Sequence, residues 1–201
     1  MIAIIDYGIG NLASITNALN RLSVKSKITA DLDEIKKAGG LILPGVGNAG
    51  EGMKNLKERK LDKLIKEEIQ KGKSFLGICL GMQLLFEKSE EGSVECLGIL
   101  KGMVKKFQKE RKIPQIGWNR VKLKILFKNI PDKSFFYFVN SYYCVPEDKS
   151  IVAAETEYGE EFASIIVKDN IVATQFHPEK SGRVGYQLLY NIIHYFNDLN
   201  H

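Results

Sequence analysis

The sequence predicts an α/β domain built on a mainly parallel central sheet, with antiparallel strands added in the second half. Two observations support this fold class. In the first half, short apolar runs alternate with glycine-rich turns and amphipathic segments, as in a parallel sheet with crossover helices. In the second half, short β-like runs follow one another, separated by turn residues such as Pro131-Asp132, before one last helix.

The elements of the first half follow from the positions of the apolar residues. A buried strand needs a short apolar run, whereas a helix needs apolar residues three and four positions apart. In chain order, these patterns predict a strand at Ile2 to Ile5, a helix through Leu12, Ile15, Leu19 and Leu22, a strand at Leu41 to Leu43, one helical stripe from Leu56 to Ile69, a strand at Ser74 to Ile78 and a helix from Leu80 to Glu87. Gly72 is well placed to end the helical stripe.

The second half lacks this alternation of strand and helix. Its predicted strands are Met103 to Phe107, Arg120 to Leu123, Phe135 to Val139, Ile151 to Glu155, Ala163 to Val167 and Ile171 to Thr174. The last helix spans about Val184 to Leu199, and its apolar face is formed by Leu188, Leu189, Ile192, Ile193 and Phe196. No linker or low-complexity segment divides the chain, so residues 1–201 are expected to form a single domain.

Composition narrows the possible functions. The chain has 201 residues, of which 44% are hydrophobic and 26% charged, as in ordinary globular domains. The net charge of +5 suggests an acidic partner or nucleic acid, but only five of the 29 basic residues are arginine. Nucleic-acid binding is therefore the weaker alternative. No apolar run is long enough to span a membrane, and the N-terminal segment lacks the basic region of a signal peptide.

Cysteine and histidine are both sparse. Three cysteines, an odd number, argue against a disulfide framework and for a reducing, cytoplasmic compartment. The three cysteines and three histidines lack the spacing of a zinc site, and no phosphate-binding loop of the G-x-x-x-x-G-K type occurs. We therefore expect neither a metal nor a cofactor.

Cys79 is the strongest candidate for a nucleophile. It is the centre of Gly77-Ile78-Cys79-Leu80-Gly81, the cysteine form of a nucleophile elbow, where a buried strand turns sharply into a helix. Such a turn brings backbone close to both flanking positions, which favours glycine there. A helix N-terminus favours the thiolate, and the Leu80 amide is expected to be free to donate to an oxyanion. A small buried hydrophobic residue is the alternative, which we favour for Cys96 and Cys144.

His177 is the best placed of the three histidines. Pro178 follows it and drives the backbone before it towards an extended conformation. In extended backbone, residues two positions apart share a face, so Glu179 is able to orient the imidazole of His177. A loop histidine beside a solvated glutamate is the alternative, but the presence of Cys79 favours a triad. His194 is expected to lie on the surface of the last helix or to pack, and His201 to fray.

With these residues, the sequence resembles the class I, or triad, glutamine amidotransferases, and within them the glutaminase subunits of imidazole glycerol phosphate synthase. The resemblance covers essentially the whole chain. It rests on five stretches, Asp6-Tyr7-Gly8-Ile9-Gly10-Asn11, Pro44-Gly45-Val46-Gly47, Gly77 to Leu85, Ile113-Pro114-Gln115-Ile116-Gly117-Trp118-Asn119 and Gln175-Phe176-His177-Pro178-Glu179-Lys180-Ser181.

The resemblance implies a three-layer, flavodoxin-like fold and a mechanism. Cys79 attacks the side-chain amide of glutamine, and His177 carries the proton to the leaving ammonia before water hydrolyses the thioester. By motif position, the oxyanion is held by backbone at Leu80, Val46 and Gly47, and glutamine is recognised by Gln83, Ser141 and Tyr142. Taken alone, Gln83 is more simply interpreted as a solvated helix residue.

The resemblance also implies a partner, because ammonia released into bulk water is lost to protonation. That partner is a cyclase subunit with a (β/α)₈ barrel, which forms a heterodimer with this chain and receives the ammonia in histidine biosynthesis. The residues that match partner-facing positions are Asn11, Trp118, Tyr137 and Lys180. An exposed tryptophan is a common interface anchor, although packing of Trp118 in the core is an equal alternative.

Two positions depart from the pattern of the family. Histidine is usual where this chain has Gln115 and Asn140, and amide side chains do not titrate near neutral pH. A related glutaminase that feeds another synthase, for example one that amidates a sugar, fits these changes. A non-catalytic binding or regulatory module on the same fold is the alternative from a different functional class.

Overall fold

The computed structural model describes residues 1–108 and 112–199. The helices are α1 (Leu12–Arg21), α2 (Leu32–Lys37), α3 (Ala49–Glu58), α4 (Leu61–Gln70), α5 (Leu80–Gln83) and α6 (Gly182–Leu199). The strands are β1 (Ile2–Ile5), β2 (Ser26–Thr29), β3 (Gly40–Leu43), β4 (Ser74–Ile78), β5 (Lys88–Ser89), β6 (Val94–Glu95), β7 (Gly102–Lys106), β8 (Gln115–Leu123), β9 (Ser134–Asn140), β10 (Tyr142–Pro146), β11 (Val152–Glu157), β12 (Glu161–Lys168) and β13 (Ile171–Thr174).

The centre of the molecule is a parallel sheet in the order β2-β1-β3-β4-β13. Every residue of β1, β3, β4 and β13 is buried, as expected for parallel strands covered on both faces. Beyond β13 the pairing becomes antiparallel through β12, β10 and β7, while β11, β8 and β9 extend from β12 as a second arm. The α/β class with late antiparallel strands is thus confirmed.

Helices cover both faces of the parallel sheet and give three layers. Ile2 and Ile4 of β1 pack with α1 and α6, whereas Ala3 and Ile5 pack on the opposite side, against α2 to α4. This split follows from the alternation of side chains along a strand. The apolar face predicted for the last helix is buried at Leu188, Leu189, Ile192, Ile193 and Phe196.

Several predicted elements are confirmed, and others differ for local reasons. The strands predicted at Ile2–Ile5, Ser74–Ile78 and Ile171–Thr174 have the predicted bounds. The single stripe from Leu56 to Ile69 is instead two helices, because Lys60 takes a left-handed conformation with φ of 59°. The helix after Cys79 ends at Gln83, well short of the predicted end. The carbonyls of Leu84, Leu85 and Phe86 accept from amides in the loop at 97–100 rather than from a continuing helix.

The sequence patterns missed strand β2, helix α2, strand β10 and the two-residue strands β5 and β6. Strand β2 has two exposed residues and helix α2 has only six residues, so neither shows a clear apolar period. Strand β10 follows β9 after one residue and pairs with β7, a partner distant in sequence. None of the described helices combines the length and apolar character needed to cross a bilayer.

Candidate active site

Cys79 lies at a strained turn between β4 and α5. Its φ of 53° and ψ of −107° are unusual for a residue with a side chain, and its amide donates to the Thr174 carbonyl at 2.7 Å. Glycine is required nearby because backbone approaches closely. A Cβ at Gly81 would lie 1.8 Å from the Leu43 carbonyl oxygen, and one at Gly77 would lie 2.8 Å from the Gly81 carbonyl oxygen. The local geometry is that of a nucleophile elbow.

His177 and Glu179 form a buried pair directly after β13. Nδ1 of His177 lies 2.8 Å from Oε1 of Glu179, and only 3% of each side chain is exposed. Because an ionised carboxylate only accepts hydrogen bonds, Nδ1 carries the proton and Nε2 keeps its lone pair in the neutral imidazole. The Ser181 hydroxyl donates to the His177 carbonyl at 2.7 Å and further fixes this segment.

The environment of His177 favours its charged form. Burial by itself lowers the pKa of the imidazole, but the interactions with Cys79 and Glu179 outweigh it and raise the pKa above its ordinary value. Nε2 is buried and, apart from this interaction with the Cys79 sulfur, has no hydrogen-bond partner among the described residues. His177 therefore has one nitrogen held by a carboxylate and one nitrogen free for proton exchange.

The cysteines differ in their surroundings. All three are free thiols. Burial raises the pKa of Cys96 to about 11, and it also raises the pKa of Cys144, which lies within β10. Both are therefore held as neutral thiols near neutral pH. Cys79 instead has its sulfur 3.8 Å from the Val139 carbonyl oxygen and 3.7 Å from Nε2 of Gln175.

A cavity of about 420 Å³ opens over Cys79. The predicted site residues on its wall are Val46, Gly47, Cys79, Leu80, Gln83, Ser141 and Tyr142, and further wall residues are Asn48, Glu91, Pro114, Val139 and Asn140. The buried His177 and Glu179 are not on the wall. A larger cavity of about 490 Å³ lies between Leu126 and Tyr190 and contains none of the predicted residues.

The Leu80 amide is occupied in this structure. It donates to the Gly45 carbonyl at 3.4 Å, whereas the sequence motif led us to expect a free donor. The loop that carries Gly45 is fixed by Tyr7, whose buried hydroxyl donates to the Pro44 carbonyl at 2.8 Å. Gly47 has a φ of 107°, and nothing lies within 4 Å of the place where its Cβ would be. Glycine at this place is able to adopt backbone conformations that other residues disfavour.

Gln83 is buried rather than solvated. Its Nε2 donates to the Tyr142 carbonyl at 3.0 Å and to Oε1 of Gln175 at 3.1 Å. The Tyr142 carbonyl also accepts from Nδ2 of Asn140 at 3.0 Å, and the Ser141 carbonyl accepts from the Phe107 amide. The backbone carbonyls of Ser141 and Tyr142, two of the three predicted glutamine-binding residues, are thus already engaged within the protein.

The residues expected to face a partner are accessible. Trp118 is 55% exposed, which excludes core packing for its side chain, and its ring meets Tyr137 edge-on at 6.0 Å. Asn11 caps helix α1 by accepting from the Ser14 amide, and Lys180 is exposed directly after Glu179. Exposed Ile116 and Phe135 on β8 and β9 extend this surface.

The two departures from the family pattern are neighbours in space. Gln115 and Asn140 are opposite each other in the β8–β9 ladder, and both are buried. Both polar atoms of the Gln115 amide and Oδ1 of Asn140 have no hydrogen-bond partner among the described residues. The two positions predicted to depart from the family pattern therefore lie together, with Asn140 on the cavity wall.

Two residues of the site were missed at the level of sequence. Gln175 lies two positions before His177, so the alternation used for Glu179 also leads to it. Glu91 lies in a 3₁₀ turn, and its Oε2 accepts from the Ala49 amide at the start of α3. Burial raises the pKa of the Glu91 carboxyl, and the bond from Ala49 opposes this effect. No local pattern marks Glu91 as a cavity residue.

The fold and the comparisons with known proteins agree on the class of protein. The family model described as "Glutamine amidotransferase class-I" matches residues 3–195. A crystal structure titled glutamine amidotransferase superposes with a TM-score of 0.77 at 18% identity, covering 100% of this chain and 99% of that chain. The structure of PurLQS from Thermotoga maritima superposes with a TM-score of 0.75 at 20% identity, covering 96% and 97%. The chain belongs to the class-I glutamine amidotransferases.

Relatives with higher sequence identity indicate which subfamily of the class-I glutamine amidotransferases this chain resembles. The protein named "Imidazole glycerol phosphate synthase subunit HisH" is 48% identical in Dehalococcoides mccartyi, with 95% of both chains covered. It is 49% identical in Caldanaerobacter subterraneus, covering 95% of this chain and 96% of the relative. In Moorella thermoacetica it is 48% identical, covering 94% and 92%. The resemblance to this subfamily, predicted from the motifs, is confirmed.

Proposed function

We propose that this chain is the glutaminase subunit of an imidazole glycerol phosphate synthase. It hydrolyses glutamine to glutamate and ammonia, and a cyclase subunit with a (β/α)₈ barrel uses the ammonia to form imidazole glycerol phosphate and AICAR in histidine biosynthesis. The observation that carries the proposal is the strained Cys79 elbow beside the buried His177–Glu179 pair, in a chain whose relatives bear the HisH name.

Cys79, His177 and Glu179 act as a catalytic triad in this proposal. The sulfur of Cys79 attacks the side-chain amide carbon of glutamine while Nε2 of His177 takes the thiol proton. Nε2 then gives that proton to the amide nitrogen, the carbon–nitrogen bond breaks, and ammonia leaves a thioester behind. Water then adds to the thioester, with Nε2 accepting its proton, and glutamate leaves as the sulfur is released. Glu179 holds the proton on Nδ1 throughout and stabilises the imidazolium.

The oxyanion of each tetrahedral intermediate binds backbone amides at Leu80 and in the Val46–Gly47 segment. The Gly45 carbonyl occupies the Leu80 amide in the chain by itself, so the loop must change conformation before the amide is able to serve. The conformational freedom of Gly47 permits such a change. This arrangement supports low activity alone and stimulation when a partner contacts the loop.

Glutamine lies in the cavity over Cys79. Gln83 and the backbone at Ser141 and Tyr142 are proposed to bind the substrate, with Gln83 using the oxygen that its two donated bonds leave available. Glu91 is the acidic side chain on the described cavity wall, and its carboxylate suits the α-ammonium group of an amino acid. The cavity thus offers both an acceptor for the ammonium group and a nucleophile for the amide.

The partner surface is proposed to consist of Asn11, Trp118, Tyr137 and Lys180. It lies beside the active site, because the Tyr137 carbonyl accepts from the His177 amide at 2.9 Å. A cyclase bound here is therefore able to influence the triad directly. The three free cysteines support a reducing, cytoplasmic compartment for the complex.

Replacing Trp118 tests this surface. We expect Trp118→Ala to weaken binding of the cyclase at least about tenfold, because a large exposed aromatic side chain is a typical interface anchor. Titration calorimetry with the purified cyclase measures the change. Leu126→Ala is the matched control, since Leu126 is 95% exposed but lines the other cavity. If Trp118→Ala and the parent chain bind the cyclase with equal affinity, the cyclase does not bind through Trp118, and the proposed surface is wrong.

Assembly with a cyclase tests the whole proposal. The chain is mixed with an imidazole glycerol phosphate synthase cyclase, and product formation is followed with glutamine and, separately, with ammonium salt. We expect glutamine to support product formation only when both chains are present. Product with ammonium but none with glutamine would favour the second candidate, a glutaminase of another synthase, which the Gln115–Asn140 change also supports.

A further inference from the structure

We propose that Gln175 is a positioning residue for the nucleophile: its side-chain amide donates a hydrogen bond to Sγ of Cys79, and Gln83 holds it in the donating orientation. The proposal rests on the proposed glutaminase function and adds a residue to that site. Gln175 directly follows β13, and its side chain is completely buried.

Three contacts connect these groups. Nε2 of Gln175 lies 3.7 Å from Sγ of Cys79, and Oε1 of Gln175 lies 3.1 Å from Nε2 of Gln83. Nε2 of Gln83 lies 3.0 Å from the carbonyl oxygen of Tyr142. The groups form a continuous polar relay from the backbone of β10 to the sulfur.

The direction of the relay is fixed by the backbone carbonyl at its end. A carbonyl oxygen only accepts, so the group of Gln83 that faces Tyr142 must be its NH₂. That NH₂ also faces Gln175, so the Gln175 atom opposite it must be the oxygen. The NH₂ of Gln175 then points at the sulfur. The reversed amide would place two donors against each other and an oxygen against the sulfur.

A donor at this place acts on the charged form of the sulfur. A hydrogen bond to the thiolate stabilises it, whereas the Val139 carbonyl, at 3.8 Å, accepts from the neutral thiol. Because both side chains are buried, an amide donor on a charged partner is stronger here than one on a neutral partner. Gln175 therefore favours the thiolate and limits the positions that the sulfur occupies.

Other titratable groups also face the sulfur and must stay unchanged in a test. They are Tyr7 after β1, Cys144 in β10, and His177 with Glu179 after β13, and Glu91 lies across the cavity. Gln175→Met leaves all of these groups in place and adds no titratable group, so it is the variant that isolates the donor, whereas Gln175→Glu adds one carboxyl beside the sulfur. A change in the reactivity of the sulfur is then assigned to the relay.

The test is the pH profile of the rate at which iodoacetamide alkylates Cys79, followed by mass spectrometry of the folded chain. Gln175→Met keeps the length of the side chain but removes the donor, and we expect about tenfold slower alkylation on the acidic side of the profile. Gln175→Glu keeps the bond from Gln83 and places a carboxylate oxygen at the sulfur, so we expect a larger loss. Thr174→Val removes a neighbouring buried hydrogen bond, to the Phe176 carbonyl, and is expected to leave the profile within about twofold.

The outcomes separate this proposal from the proposed function. Parent-like profiles in both Gln175 variants would overturn the role of Gln175 even if the chain hydrolyses glutamine. Slower alkylation in both, with a parent-like Thr174→Val, supports the relay even if glutamine proves not to be the substrate. If Thr174→Val slows alkylation of Cys79 as much as the Gln175 variants do, the effect comes from a general loss of packing at the end of β13, and the proposal is overturned.

Discussion

Cys79→Ala is expected to lower glutamine hydrolysis by the assembled complex at least about 10³-fold, because the covalent route disappears with the sulfur. The remaining groups would only orient water, and in triad enzymes the loss of the nucleophile costs nearly as much as loss of the whole triad. The rate of glutamate release, measured with saturating cyclase and glutamine, gives the result. Product formation from ammonium salt should continue, since that reaction belongs to the cyclase.

Cys96→Ala is the matched control for the removal of a thiol. Burial raises the pKa of Cys96 to about 11, and its sulfur contacts the Val94 carbonyl rather than the cavity. We expect the control to retain hydrolysis within about twofold. Hydrolysis by the Cys79→Ala complex at the rate of the parent would exclude Cys79 as the nucleophile.

Gly81→Ala is expected to destabilise the fold by about 3 kcal/mol or more, because a side chain at this position collides with the backbone of the neighbouring strand. The added Cβ would lie 1.8 Å from the Leu43 carbonyl oxygen and 2.8 Å from the Leu43 carbonyl carbon. Both are backbone atoms of β3, so relief requires α5 to move away from the sheet. That movement also displaces the Cys79 turn.

Urea unfolding measures this loss as a change in the free energy of unfolding. Gly39→Ala is the control, because the nearest atom to its added Cβ is the Met1 carbonyl oxygen at 3.8 Å and Gly39 has no positive φ. We expect that change to stay within about 1 kcal/mol. Equal stability of the two variants would mean that glycine at 81 is not required by close packing.

The sequence predicts those features of the fold and the site that depend on residues close together in the chain. The elbow at Cys79 and the pair of His177 and Glu179 follow from glycine spacing, from proline and from alternation in extended backbone. The buried strands of the parallel sheet follow from apolar runs, because both faces of such a strand are covered. In each case the signal lies within a short stretch of the chain.

Contacts between distant segments could not be predicted in this way. The Gly45 carbonyl meets the Leu80 amide, and Glu91 reaches the cavity, only because the sheet order places these loops together. The early end of α5 has the same origin, since the carbonyls that follow it bond to the loop at 97–100. Local sequence patterns contain no information about contacts between distant segments. They therefore predicted a longer helix after Cys79 and a Leu80 amide without a partner.

The difference between Cys79 and the other two cysteines also needs the structure. All three are buried side chains, but among the described residues only Cys79 lies on the wall of the cavity that also includes Leu80 and Gln83. Its φ of 53° shows that packing maintains a backbone conformation that a merely structural cysteine does not require. The strained backbone and the place on the cavity wall set Cys79 apart from Cys96 and Cys144.

Labelling with an electrophilic glutamine analogue, such as the chloromethyl ketone in which the side-chain amide is replaced, tests the role of Cys79 most directly. The assembled complex is treated with the analogue, and the modified residue is located by peptide mass spectrometry. We expect one modification, on Cys79, that excess glutamine prevents and that accompanies loss of hydrolysis. Complete loss of hydrolysis with Cys79 unmodified, or modification of Cys79 with hydrolysis intact, would contradict a nucleophilic role for this residue.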